Sequence, residues 1–275
     1  MQNNANKKKK KGLKPVYMPY LRGNIYSRTA VKRSAKIAGF MVMFVFIYLL
    51  LGGAMTFDNT ILRVCANLLL LAMGGVVMYG EGANQGETDV GFAEIAQKRL
   101  DEGKNVPKSE HDLCFHPLKG VLSAAIAALP FFVVCVVFAV IAQKQHYSLG
   151  VLPSWVSSYD SQGEVAQALA FYHEATPMSL EAILRVIVRL INFPYVTMMD
   201  INSYDAMYMV DKLSPLMCLT LPAFYAIGYL RGPYLRALVH GNIRISRRKH
   251  NKQEKRARQQ RRQQMAKKNE KKELI

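Results

Sequence analysis

Four apolar runs, each long enough to cross a bilayer, constrain this chain more than any other feature. A spanning helix needs roughly 20 apolar residues, because each rises ~1.5 Å across a hydrocarbon core about 30 Å thick. IAGFMVMFVFIYLLLGGAMTF lies between Lys36 and Asp58, and VCANLLLLAMGGVVMYG between Arg63 and Glu81. GVLSAAIAALPFFVVCVVFAVIAQ lies between Lys119 and Lys144, and LSPLMCLTLPAFYAIGYL between Lys212 and Arg231. No Asp, Glu, His, Lys or Arg interrupts any run. The expected fold is all-α, a multi-pass membrane helix bundle with four spans at about 37–57, 64–80, 120–143 and 213–230. Pro130, Pro215 and Pro222 fall in or beside spans, where hydroxyls or neighbouring helices must replace the lost backbone hydrogen bonds.

Charge is segregated along the chain. Residues 1–36 carry 11 Lys and Arg and no acid, and residues 231–275 carry 16 against three Glu. Residues 37–230 carry 10 basic and 16 acidic side chains, so the overall +18 belongs to the two tails. Basic residues near span ends are retained in the cytoplasm. The 56–62 connection has none, whereas 81–119 has Lys98, Arg99, Lys104, Lys108 and Lys119. Four spans with both termini cytoplasmic, favouring the plasma membrane, satisfy every count. About 36 polar residues precede the first run, which reads as a retained anchor and not as a signal peptide.

A fifth apolar stretch, LEAILRVIVRLINF, tests this parity. Glu181, Arg185 and Arg189 recur every fourth residue on one helix face, opposite Ile183, Leu184, Ile187, Leu190 and Ile191. Spanning would bury two arginines at roughly 2.5 to 3.5 kcal/mol each and move the C-terminal tail across the bilayer. The expectation is an interfacial amphipathic helix on the outer face, with Arg185 and Arg189 toward headgroups or water. The alternative is a fifth span whose arginines face the bundle interior. Thr176 and Pro177 signal its start, and Ser161 with Glu164 forms a capping box for a shorter preceding helix. The 144–212 segment is rich in interface-type aromatics such as Tyr147, Trp155, Tyr159, Tyr172, Tyr195, Tyr204 and Tyr208.

The 81–119 connection is expected to open with GEGANQG as a flexible exit from the second span. Asp89 is then the cap of a short helix whose Phe92, Ile95, Ala96 and Leu100 share a face, with a Glu94 to Lys98 pair opposite and Gly103 as its stop.

Few residues point to chemistry. His111, Cys114 and His116 form a weak candidate metal group, because zinc sites bring paired ligands from two places in the chain; the bland alternative is a juxtamembrane turn in which His116 and Pro117 mark the start of the third span. Of the four cysteines, Cys65, Cys135 and Cys218 sit in apolar runs as small hydrophobes. No nucleophile and base pair, no paired carboxylates and no phosphate loop is present, so neither an enzyme nor a cofactor is expected. Asn67, Ser123, Thr220 and Tyr225 are neutral polar groups able to line a path or to bond between helices. What remains is electrostatic. Lys7, Lys8, Lys9, Lys10 and Lys11, with Arg247, Arg248, Lys249, Arg256, Arg258, Arg261 and Arg262, are candidate contacts for anionic lipid headgroups or nucleic acid. The C-terminal tail lacks an apolar stripe, so it is either disordered or a solvated helix. The expected role is an accessory or scaffold membrane protein whose partners are the bilayer and RNA, a ribosome or another membrane protein, with no small-molecule substrate identified. The alternative is a transporter or channel-type subunit working as an oligomer.

Overall fold

A computed structural model describes residues 15–54, 57, 59–143, 180–199 and 203–273. The described residues form helices α1 (Arg28–Ala54), α2 (Thr60–Asp101), α3 (Lys108–His111), α4 (Pro117–Ile141), α5 (Leu180–Ile191), α6 (Phe193–Met198), α7 (Tyr204–Met217), α8 (Thr220–Leu230) and α9 (Gly232–Glu273). Four stretches are long and apolar enough to cross a membrane: α1, α2, α4, and α7 continued by α8. The protein is thus an all-α multi-pass helix bundle. The Thr176, Pro177, Ser161 and Glu164 signals, and Tyr147, Trp155, Tyr159 and Tyr172, lie outside the described residues.

The bundle has two ends. Arg33, Asp89, Lys119 and Tyr229 meet at what we term the tail end, from which α9 departs. The far end carries the end of α1, the start of α2 and the start of α7. Between them Ile37, Phe44, Tyr48, Leu70, Met78, Ala124, Ala127 and Tyr225 form the central core. Phe46, Leu50, Val76, Val140 and Leu216 are exposed around the spans, as expected where the solvent is lipid.

The closest packing runs between α2 and α8. Cβ atoms added at Gly82 and Gly228 would lie 2.2 Å from the Tyr225 carbonyl oxygen and 2.1 Å from the Tyr79 carbonyl oxygen. Gly86 likewise faces Tyr229 and Gly232 backbone. Small residues let helix backbones touch where lipid supplies no hydrophobic drive. This corrects the expectation for GEGANQG: α2 continues unbroken through it to Asp101, with Gly82 and Gly86 as contact positions. Gly103, with φ +76°, follows the helix end as expected. Asp89 is not a cap but lies inside α2, fully buried. The buried face of this part of α2 is Val90, Ala93 and Ala96, against Cys114, Phe115 and Tyr229. Phe92, Ile95 and Leu100 point outward. Close approach selects the small side chains for the interface and leaves the large ones outside.

Proline breaks are compensated locally. Pro215 has no N–H for the Asp211 carbonyl, which instead accepts from Ser214 Oγ at 2.8 Å. α7 and α8 are separated at Cys218 and Leu219, where Thr220 Oγ1 donates to the Met217 carbonyl at 2.8 Å.

α5 and α6 form a re-entrant pair at the far end. Arg185 donates to the carbonyl of Gln143, just past the end of α4, whereas Asn192 reaches Cys135, eight residues and roughly 12 Å closer to the tail end. The chain then turns, and Thr197 Oγ1 donates at 2.8 Å to Asn67 Oδ1, 22 residues along α2 from Asp89. The described part of α5 extends about 18 Å, and the turn at Asn192 keeps it from crossing the bundle. The stripe therefore dips into the far half of the bundle, with Arg185 and Val188 buried and Ile183, Val186 and Ile187 facing outward.

Alanine at Gly82 or Gly228 is expected to cost roughly 1 to 3 kcal/mol through overpacking. Gly39→Ala and Gly80→Ala, where an added Cβ meets nothing within 4 Å, serve as controls that hold or gain stability. Thermal unfolding of the four variants in detergent checks this.

Candidate functional sites at the two ends of the bundle

At the tail end every spanning stretch contributes one side chain to a single knot. Asp89 of α2 is wholly buried, and accepts from Arg33 of α1 through both guanidinium nitrogens at 2.6 and 2.7 Å. Tyr229 of α8 donates its hydroxyl to the same carboxylate at 2.6 Å. Lys119 of α4, also fully buried, lies 3.5 Å away and donates to the Asp112 and Cys114 carbonyls at 2.6 and 3.3 Å. A buried ion pair contributes little net stability, but removing one partner leaves an uncompensated charge.

The far end repeats the device, again with one buried carboxylate met by two basic side chains. Asp211 of α7, 1% exposed, accepts from Arg189 Nε at 3.0 Å and Nη2 at 2.9 Å. Arg185 Nη1 lies 3.7 Å from the same carboxylate, and its Nη2 bonds Glu181 one turn earlier. Lys212 reaches the Ala139 carbonyl at 2.7 Å. The expected orientation is corrected here: Arg185 is buried and Arg189 turns inward to Asp211, because a carboxylate on the neighbouring helix offers more than the headgroup region.

A third cluster fastens α9 to α2. Glu94 accepts from Arg236 Nε at 3.0 Å and lies 2.8 Å from His240 Nε2, so it pairs across helices and not with Lys98. Beyond Gly241 every described side chain of α9 is exposed, including Arg247, Arg248, Lys249, Arg256, Arg258 and Arg261. Arg262 continues the helix. The tail is thus a solvated helix, made of strong helix formers with Glu254 one turn before Arg258. Lys7, Lys8, Lys9, Lys10 and Lys11 lie outside the described residues. An extended strap follows at residues 15–26, its backbone N–H groups bonding carbonyls of Ala237, Ala93, Phe115 and His111.

His111, Cys114 and His116 are not brought together as ligands. Cys114 donates to the Glu110 carbonyl at 3.2 Å, and burial pushes its thiol pKa up, away from the thiolate a metal needs. His116 Nδ1 accepts from the Leu118 N–H at 3.2 Å and so caps α4, with Pro117 at the first turn. No group of three or more metal-ligand side chains occurs among the described residues.

Asp89 was missed as a site residue because it read as a helix cap, and Asp211 because an acid beside Lys212, just before an apolar run, reads as solvated. The available signal was the excess of acids in residues 37–230 beside basic residues flanking the same runs. These features define a multi-pass membrane protein with buried ionic locks and a projecting basic helix. No known family, no curated protein and no solved structure matches the chain.

Asp89→Asn is expected to cost about 3 to 5 kcal/mol, since it strands Arg33 and Lys119, and Tyr229→Phe roughly 1 to 3 kcal/mol. Unfolding in detergent measures both. Acid acts at His116, where burial, then Arg22 and Lys119, holds the pKa below its ordinary 6.5. With the folded value depressed, the unfolded chain binds more protons as pH falls. Stability is therefore full above 6.5 and declines as pH drops from there through the folded value. His116→Asn keeps a capping acceptor without titrating. Its melting temperature should fall less than the wild type's between about pH 7.5 and 5.

Proposed function

We propose that this protein is a non-enzymatic membrane scaffold, resident in the plasma membrane with both tails cytoplasmic, that holds a basic helix out from the bilayer for a polyanionic partner such as RNA or a ribosome. The observation that carries the reading is the register of α9 on α2. Gly86 meets Gly232, Gly91 meets Arg236, and Glu94 meets His240, an advance of eight residues on both helices. The two therefore run parallel, away from the bundle. α2 stops at Asp101, seven residues past Glu94, whereas α9 continues 33 residues past His240 and so reaches about 40 Å beyond the end of α2.

That length decides between partners. An anionic leaflet attracts basic residues within a Debye length of ~8 Å, so it acts on the strap and the first turns of α9. The distal part stands several Debye lengths away. From Arg244 to Lys272 α9 carries 14 Lys and Arg against two Glu, spread around the helix, a pattern that suits a phosphate backbone and lacks the apolar face needed to lie in a membrane. The orientation rests on the basic residues at the tail end.

A transporter or channel-type subunit acting as an oligomer is the second reading. The break between α7 and α8 beside the re-entrant α5–α6 pair favours it, since interrupted helices meeting at depth are how transporters build polar sites.

In purification at low salt, RNA or a nucleoprotein is expected to accompany the full-length protein and to dissociate steeply as salt rises. Deletion of residues 244–275 should abolish that association without altering the melting temperature of the bundle. Full retention of partners after the deletion would sink the scaffold reading and favour the oligomeric subunit.

A further inference from the structure

The turn of the re-entrant pair borders a small cavity of about 20 Å³, where it meets α1, α2, α4, α7 and α8. Its walls include Tyr48, Asn192, Tyr195, Cys218 and Thr220. Two polar atoms of these walls, Tyr48 Oη and Asn192 Oδ1, have no hydrogen-bond partner within the protein, on side chains only 3% and 1% exposed. The other polar atoms are engaged. Asn192 Nδ2 donates to the Val188 carbonyl at 3.1 Å, Tyr195 Oη donates to Thr220 Oγ1 at 3.1 Å, and Thr220 donates onward to Met217.

Tyr48 reaches this place because Gly74 on α2 has no side chain; a Cβ there would lie 2.1 Å from its hydroxyl. What the wall offers is thus a hydroxyl able to donate, an amide oxygen able to accept, and lone pairs on Tyr195 Oη. Apolar cavities stay dry, but a polar one with room for a water, roughly 10 to 15 Å³, and two to four partners holds one. A buried donor and acceptor left unmade would each carry their full desolvation cost.

We propose that the cavity is a hydration site, occupied by one water that accepts from Tyr48 Oη, donates to Asn192 Oδ1 and bonds Tyr195 Oη. The water pins the tip of the re-entrant turn to the first span. It stands independently of what α9 binds.

Tyr48→Phe tests the idea, because removing a hydroxyl that bonds nothing is neutral or stabilising, whereas removing one that holds a water is not. The substitution should raise the unfolding equilibrium constant roughly five- to thirtyfold. Asn192→Ala should also destabilise, and the double variant should lose less than the sum of the two, as groups sharing one water do. Strictly additive losses, or a neutral Tyr48→Phe, would overturn the proposal. A high-resolution crystal structure of the unaltered protein supplies a readout that no variant can spoil: density within hydrogen-bond distance of both atoms is expected, and an empty cavity refutes the site. Stabilisation by sodium or potassium chloride over choline chloride would assign the guest as a cation and equally refute the water.

Discussion

Taking a carboxylate out of water costs several kcal/mol, and a buried one persists only where charge and hydrogen bonds meet it from more than one side. Asp89 has no contact with solvent, and its partners are one side chain from each other spanning stretch: Arg33, Lys119 and Tyr229. The four therefore reach the tail end in one relative register or leave an orphaned charge. Lipid tails are as apolar as leucine, so large apolar side chains have little preference for a helix neighbour over lipid. The knot adds a polar constraint on register to the steric one set by the glycine contacts between α2 and α8. The far end uses the same logic on Asp211, which binds the re-entrant stripe to α7 through Arg189 and Arg185.

Register at the knot has consequences along α2. Because Tyr229 must reach Asp89, α8 is drawn onto the glycine face of α2, and Gly82 and Gly86 admit its backbone. The chain leaves α8 through Arg231 and Gly232 already lying against α2. Arg236 and His240 then find Glu94 on the facing turn. A position chosen inside the bundle thus fixes the direction in which the basic helix points, and the strap over Ala93 and Ala237 closes the joint.

The spans and their even number were legible in the sequence because bilayer thickness turns run length into a direct measurement. The start of the third span at His116 and Pro117, the stop at Gly103 and the need for a hydroxyl or a neighbouring helix beside Pro215 were legible for a similar reason, since each follows from backbone chemistry within a few residues. What escaped was set by contacts far apart in the chain. Val90, Ala93 and Ala96 are unremarkable until Phe115 and Tyr229 arrive against them, and periodicity alone ranks the larger Phe92 and Ile95 as the buried face. Asp89 looked like a helix cap because a cap is the usual local role for aspartate, and nothing nearby in sequence reveals Arg33, 56 residues away. The direction of the Arg185 stripe depended likewise on Asp211.

The re-entrant pair follows from weighing two costs for α5. Lying flat at the interface would solvate Arg185 and Arg189 but expose Asp211 of α7, whose charge would then face the bilayer edge unpaired. Crossing fully would bury both arginines and strand the tails on opposite sides. Dipping partway lets Arg189 meet Asp211 through two hydrogen bonds, while Val188 reaches the apolar cluster of Cys135, Phe138 and Cys218. The turn is made at Asn192, whose side chain donates back to the Val188 carbonyl, and Pro194 in the following turn suits a new helix start. Depth is thus set by where the carboxylate sits on α7, and four full spans remain, so both tails leave the bundle at one end.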